Sequence, residues 1–233
     1  MLVLAIDTSA KVSSASLVKD KELLAITTLN TGNTHSETLL TSVNDLFGFA
    51  NVTASDVDLF AVSAGPGSFT GIRIGVSLVK GLAFGHKKCV GVSTLEALAR
   101  NLEGQSGIIC PVMDARRSQV YNALFRYENG ELKRLCDDRL ITLEELKSEL
   151  VGYDEDVRLV GDGYGIAEKY LADQKLISTP EIYRHQNAYS VALCAIDLYD
   201  QGVCCDDETL LPIYLRQPQA ERERLERLNK SEQ

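Results

Sequence analysis

Residues 2–23 read LVLAIDTSAKVSSASLVKDKEL, and residues 108–132 read IICPVMDARRSQVYNALFRYENGEL. Each opens on a continuous apolar run, Leu2 to Ile6 and Ile108 to Met113, of the length expected for a buried strand. Each run closes on an aspartate, Asp7 and Asp114. A leucine stands ten positions beyond each aspartate, Leu17 and Leu124, and Glu-Leu then follows, as Glu22-Leu23 and Glu131-Leu132. An apolar strand, a polar tip and a returning strand make a β-hairpin with an acidic residue at the end of its first strand.

The same order of elements continues outward from both hairpins. Helices are expected near Ser36–Gly48 and Leu143–Leu150. Asp-Val strands with glycine-rich ends come next, DVDLFAVSAGPG from Asp56 and DVRLVGDGYG from Asp156. Helices follow at Thr70–Gly85 and Ile166–Ala172. A short strand and a last helix close each half, with Leu95–Asn101 and Ser190–Asp200 as those helices. Identity between the halves is slight, but matching element types in matching order favour duplication. The division read from this pattern is a first lobe at 1–103, a second at 104–211 and a tail at 212–233, with a helix of the tail packing back on the first lobe. Two hairpin-led α/β lobes in tandem resemble the ASKHA (actin-like, RNase H-like) architecture of sugar kinases, actin and Hsp70. That resemblance implies a cleft between the lobes, an acidic hairpin tip that handles metal-nucleotide, and glycine-rich turns close to the phosphates. By itself it implies no function.

Composition narrows the partners. The chain has 233 residues, 45% hydrophobic and 24% charged, which is ordinary for a globular protein with a sizeable core. Net charge is −9. Residues 1–103 carry eight Lys/Arg and nine Asp/Glu, and the remainder sixteen and twenty-four. Nucleic-acid affinity draws heavily on Lys and Arg neutralising phosphates, so a partner is expected to supply any basic surface. The opening MLVLAIDTSA has no basic segment and is interrupted by Asp7, unlike a signal peptide. No apolar run approaches the ~20 residues that span a bilayer. A cytoplasmic protein with six reduced cysteines, none in a C-x-x-C pair, is the expectation.

Asp7-Thr8-Ser9 offers a carboxylate followed by hydroxyls, a set able to hold a hydrated Mg²⁺ or accept a proton. No glycine stands between Asp7 and Val18, whereas phosphate-cradling loops usually need one. A side-chain cap of the turn is therefore preferred for Asp7. In Gly65-Pro66-Gly67-Ser68-Phe69-Thr70-Gly71-Ile72-Arg73-Ile74-Gly75 a strand passes through a tight turn into a helix that Ser68 or Thr70 can cap. An anion site at that helix start and a purely structural elbow are equally compatible with it.

GPGSFTGIRIG, with IDTS before it, THSETLL between, and MDARRSQVY and LPIYLR later, resembles the TsaB (YeaZ) family from Leu2 to about Arg216. The resemblance implies a subunit of the machinery that makes threonylcarbamoyladenosine just 3′ of the anticodon in tRNAs reading ANN codons. A catalytic paralogue, TsaD, and an ATPase, TsaE, are the implied partners; tRNA is reached indirectly, and homodimerisation is left open. The catalytic paralogue carries an H-x-x-x-H pair, a spacing that puts two imidazoles on one helical face. Here His35, His86 and His185 stand 51 and 99 positions apart. His35 sits in Thr34-His35-Ser36-Glu37, a capping-box pattern that makes it a helix-start residue. No catalytic residue and no metal ligand are assigned, and a pseudoenzyme subunit is expected. The rivals are an active ASKHA ATPase or kinase, a glycoprotease-like metalloenzyme and a nucleotide sensor.

Asp7, Thr8, Ser9, Asp114, Arg116, Gly161 and Gly163 are the candidate residues of a degenerate nucleotide cleft, with ATP or ADP at the complex interface as an open ligand. Arg116 and Arg117 otherwise read as a solvated hairpin tip. For a partner interface, Leu39, Leu40, Val43, Leu46, Phe47 and Phe49 span roughly 180° of their helix, wider than one core contact needs. On the next helix the polar positions Arg73, Ser77 and Lys80 form one narrow strip. The family resemblance implies these two helices as the interface, with Leu39, Leu40, Val43, Phe47, Gly71, Ile74, Gly75, Leu78 and Leu82 as its candidates. The Leu39–Val43–Leu46 line reads also as lobe core.

Overall fold

The computed structural model describes residues 1–216; the tail helix expected beyond them lies outside the described residues. In the first lobe, β1 (Leu2–Asp7), β2 (Ser13–Lys19) and β3 (Glu22–Leu29) form an antiparallel meander. Then come α1 (His35–Ala50), β4 (Leu59–Gly65), α2 (Phe69–Leu82), β5 (Lys88–Ser93) and α3 (Thr94–Arg100). The sheet runs β3-β2-β1-β4-β5, with β4 parallel to β1 and β5 parallel to β4. Side-chain caps start its helices. Glu37 Oε2 accepts from Thr34 N–H at 3.1 Å before α1, Ser68 Oγ accepts from Gly71 N–H at 3.2 Å at α2, and Ser93 Oγ accepts from Glu96 N–H at 3.2 Å at α3.

The second lobe contains β6 (Ile108–Asp114), β7 (Gln119–Asn122), β8 (Phe125–Glu128), β9 (Glu131–Arg134), β10 (Arg139–Thr142), α4 (Leu143–Leu150), β11 (Val157–Val160), α5 (Tyr164–Tyr170), α6 (Glu181–Arg184) and α7 (Ala188–Asp200). Both β7 and β8 pair with β6 in one continuous register, Val112 opposite Asn122 and Ile109 opposite Phe125. They are two ends of a single strand interrupted at Ala123-Leu124. The cause is Pro111 in β6, which has no N–H to offer Ala123. The Asn122 side chain fills the gap, its Nδ2 donating to Pro111 O at 2.9 Å and to Ala123 O at 3.0 Å. With that interruption allowed for, the second sheet repeats the meander of the first, and β11 lies parallel to β6 as β4 does to β1. The expected closing strand is reduced to one parallel bridge, Leu176 with Val157, beyond which the Thr179 side chain takes the next carbonyl, Oγ1 donating to Leu159 O at 2.7 Å. Tandem meander-led α/β lobes are the ASKHA arrangement.

Period-two alternation assigns each strand two faces. On the first sheet, Leu4, Ile6, Leu17, Phe60 and Val62 pack under α1 and α2, against Leu39, Val43, Leu46, Ile72, Val76 and Val79. The opposite face, with Val3, Ala5, Leu59, Ala61 and Val90, is covered by Ala188, Val191, Ala192, Ala195 and Ile196 of α7. Although α7 follows the second sheet in the chain, it thus covers the first. Asp197 anchors it there, with Arg100 Nη2 at 2.7 Å and Lys21 Nζ at 2.9 Å. The second sheet packs one face on α4 and α5 through Leu143, Leu146, Leu150, Ala167 and Leu171. Its other face meets α3, where Leu95, Leu98, Ala99 and Leu102 touch Ile109, Met113, Phe125 and Val160. Ala97 of the same helix packs on the first sheet. One short helix therefore serves both lobes, and Arg134 of the second lobe adds an ion pair to its Glu96 at 2.7 Å.

Because Leu98 is buried in this shared cluster, Leu98→Ala should cost about 2–5 kcal/mol. Urea denaturation followed by circular dichroism should show that loss as a shift of one common transition for both lobes.

Candidate functional site

The turn after β1 and the start of α2 are built against each other. Asp7 is buried, and its carboxylate is consumed locally. Oδ1 accepts from Ser9 N–H at 2.9 Å and Ser9 Oγ at 2.6 Å, and Oδ2 accepts from Ser63 Oγ at 2.6 Å. Burial pushes its pKa up, while the bonds from Ser63 and Ser9 pull it back. Thr8 Oγ1 donates to Gly71 O at 2.7 Å, and Ser9 O accepts from Ser68 N–H at 2.6 Å. Such contact needs glycine. A methyl at Gly71 would stand 2.0 Å from Thr8 O, and one at Gly75 would stand 2.5 Å from Thr8 Oγ1. Gly67, Gly71 and Gly75 of GPGSFTGIRIG are thus spent on packing strand turn against helix, and Gly65 makes room for Ile213 O of the segment after α7. Two donors at the helix start that could face an anion, Ser68 N–H and Gly71 N–H, are also used inside the chain.

Between the lobes this elbow borders a cavity of about 590 Å³, lined by Ser9, Lys11, Pro66–Thr70, Asp114, Arg116, Tyr121, Asp162, Tyr214 and Arg216, among others. Of the residues proposed from sequence, Ser9, Asp114 and Arg116 line it. Asp7 and Thr8 lie buried beneath it. Gly161 and Gly163 stay behind its wall, packed on Val112 O, and present Asp162 between them. Asp114 and Asp162 meet there: Asp114 N–H donates to Asp162 Oδ1 at 3.3 Å. Asp162 is open to the cleft, yet the enclosing walls desolvate it and push its pKa up to about 6, with the Asp114 charge adding to the rise. Arg116, Arg117 and Ser118 all have left-handed backbones, φ 63°, 55° and 58°, a strained tip for residues with a Cβ. Asp114 Oδ1 holds it by accepting Arg116 N–H at 2.7 Å. Both arginines are exposed.

The third wall comes from the segment after α7. Ile213 N–H donates to Ala64 O at 2.7 Å, and Arg216 Nη1 to Ala115 O at 3.1 Å. Tyr214 stacks on Phe69 with ring centroids 4.7 Å apart and accepts from Arg73 Nε at 3.2 Å. Sequence reasoning missed Tyr214 as a cleft residue. LPIYLR marked the family, but nothing local ties Tyr214 to a helix start so far back in the chain.

Phe69 and Thr70 also border a second, apolar hollow of about 510 Å³ between α1 and α2, with His35, Leu39, Leu40, Arg73, Ile74 and Leu78. His35 is tied to the turn after β1, its Nε2 lying 2.7 Å from Ala10 O. Leu40 is 50% exposed, and Phe47, Ile74, Leu78 and Leu82 are partly buried. The remaining expected interface residues are placed more deeply, although Leu39 also reaches the hollow. Leu39 and Val43 are buried in the first-lobe core, and Gly71 and Gly75 face Thr8. The Leu39–Val43–Leu46 line lies in the first-lobe core, as its spacing suggests, and the exposed Leu40 adjoins it on α1.

A family model described as TsaD, tRNA N6-adenosine threonylcarbamoyltransferase, matches residues 26–224. The tRNA threonylcarbamoyladenosine biosynthesis protein TsaB of Bacillus subtilis is 33% identical over 174 residues, 74% of this chain and 76% of that one. The Haemophilus influenzae TsaB is 26% identical over 228 residues, 93% of this chain and 94% of that one. Among solved structures, YeaZ from Pseudomonas aeruginosa superposes with a TM-score of 0.76 at 28% identity, covering 92% of this chain and 99% of that one.

Gly71→Ala should destabilise the chain by about 3 kcal/mol or more, because backbone must move on both sides of the new methyl. Gly81→Ala, where nothing lies within 4 Å, should be neutral or stabilise by up to about 1 kcal/mol. Paired denaturation curves check both. The raised Asp162 pKa means the folded chain binds more protons than the unfolded one between pH 3.8 and about 6, so its contribution to stability falls as pH rises through that window. Asp162→Asn should flatten this part of the stability–pH curve, and NMR titration of the native carboxyl should give a midpoint that Asp114→Asn lowers.

Proposed function

The chain belongs to the TsaB family and works in the biosynthesis of tRNA threonylcarbamoyladenosine, and from that premise we propose that it does so as a non-catalytic scaffolding and activating subunit. The observation that carries this reading is the apolar hollow between α1 and α2, open to solvent beside the exposed Leu40. Its occupant is a TsaD-like catalytic paralogue, whose equivalent helices complete a bundle with α1 and α2. When that paralogue is absent, a second copy of this chain takes the same place. A TsaE-like ATPase binds the assembled pair.

Three further observations support the division of labour. The H-x-x-x-H pair of the catalytic paralogue has no counterpart in the sequence. Asp7, where an actin-like kinase would handle metal-nucleotide, has both carboxylate oxygens bonded to serines. Net charge of −9 is unsuited to gripping tRNA alone. The substrate tRNAs, those reading ANN codons, are therefore reached through the complex in the cytoplasm. ATP or ADP would meet this chain at Ser9, Asp114, Arg116 and the Gly161–Gly163 loop, at the complex interface.

The test is Leu40→Glu. A carboxylate at a half-exposed position stays hydrated in the free chain but loses water without a counter-ion in the complex. Circular dichroism should show an unchanged fold, and light scattering with the paralogue should show association weakened more than about 100-fold. In parallel, the wild-type chain given tRNA and threonylcarbamoyl-adenylate should form modified adenosine only when the paralogue is added. Modification by the chain alone would identify it as an active enzyme.

A further inference from the structure

Cys89 of β5 and Cys205, in the segment after α7, face each other across an isolated antiparallel bridge. They exchange both backbone hydrogen bonds, Cys89 N–H to Cys205 O at 2.8 Å and Cys205 N–H to Cys89 O at 2.9 Å. A pair bonded in this way holds its Cα atoms about 5.5 Å apart, inside the roughly 4.4–6.8 Å that a disulfide spans. Directly opposed residues send their side chains to the same face of a sheet. Both thiols accordingly rest on one apolar cluster, that of the first sheet with α1 and α2. In the reduced chain each thiol lies against a main-chain carbonyl, Cys205 Sγ 3.3 Å from Cys89 O and Cys89 Sγ 3.6 Å from Lys87 O. The Cβ atoms of a hydrogen-bonded pair stand about 5.5 Å apart, against the roughly 3.5–4.5 Å of a disulfide, so joining them requires the isolated bridge to close by about 1 Å as the side chains rotate.

We propose that Cys89 and Cys205 are a reversible oxidation site whose oxidant is a low-molecular-weight disulfide. The partly buried Cys205, the more accessible of the two, is the point of entry. Its thiolate attacks one sulfur of the small disulfide, whose S–S bond breaks, and the first small thiol leaves with the proton Cys205 gave up. The Cys89 thiolate then attacks the Cys205 sulfur, and the second small thiol leaves with the proton of Cys89. Two protein thiols become one disulfide, and one small disulfide becomes two thiols. Burial pushes both protein thiols up, Cys89 to about 12, so the exchange is slow and the dithiol is quiet under reducing conditions.

The bond would staple to β5 the segment that walls the cleft. Beyond Cys205 that segment is held by Leu210 in the first-lobe core, by the Ile213–Ala64 hydrogen bond and by the Tyr214–Phe69 stack. Oxidation would add a covalent anchor at its start, closing a long loop of chain and restricting the unfolded state.

The full-length folded chain, incubated with excess oxidised glutathione and digested without reduction, should yield a peptide pair joined through Cys89 and Cys205. The joined pair should disappear on adding reductant, and the oxidised chain should melt at a higher temperature than the reduced one. Cys204→Ser, which removes the exposed neighbouring thiol, should leave the cross-link intact. Glutathione found only on Cys204, a Cys204–Cys205 disulfide, or a cross-link that forms only in unfolded chain would each overturn the proposal.

Discussion

The contact between Thr8 and Gly71 is the constraint on which the rest of the molecule depends. Helix α2 can lie against the turn after β1 only because no side chain intervenes at Gly71 or Gly75. Once that contact is made, the start of α2 becomes part of the cleft wall, and the flank of the same helix becomes one side of the apolar hollow. Phe69 and Thr70 belong to both. The turn is held in shape from beneath by Asp7, whose burial is tolerable because Ser9 and Ser63 satisfy both carboxylate oxygens.

The second organising feature is the placement of α3 between the sheets. A helix of seven residues has little stability of its own. Here it is buried on both sides, by Ala97 toward the first sheet and by Leu95, Leu98 and Leu102 toward the second. The lobes thereby share core, and α7 strengthens the join by crossing back to the first sheet, where Asp197 meets Arg100 and Lys21. The cleft is thus bounded by elements already packed against one another. Its charged lining is mixed in sign, Lys11, Arg116 and Arg216 against Asp114 and Asp162. The hollow between α1 and α2 is apolar, and that chemistry suits another protein surface better than a phosphate.

Much of this was legible in the sequence. Two apolar runs ending in aspartate, with helices and glycine-ended strands in the same order after each, specify two α/β lobes, because strand and helix periods and caps are local properties. The elbow at Gly65–Gly75 and the capping role of Asp7 were likewise readable, since turn chemistry acts over a few residues. Where local rules met a particular exception, the reading slipped. Pro111 split a strand that the apolar pattern shows as whole, and the closing strand of the second half shrank to a bridge.

What only the tertiary structure decided is which surfaces meet. A helical wheel sets the Leu39–Val43–Leu46 line apart from Leu40 but cannot say which of the two faces the sheet; the direction of the core is set by strands from elsewhere in the chain. No local pattern could put Tyr214 on Phe69, Cys205 opposite Cys89, or α7 on the first sheet. Those contacts join residues separated by about half the chain or more, and they arise because burying the two faces of each sheet leaves few places for the last elements to go. The sequence by itself determined the elements, their order and the family. The three-dimensional packing determined that the glycines at 67, 71 and 75 serve the elbow, that the carboxylates of the cleft are Asp114 and Asp162 rather than Asp7, and that an apolar strip between α1 and α2 is left only partly covered.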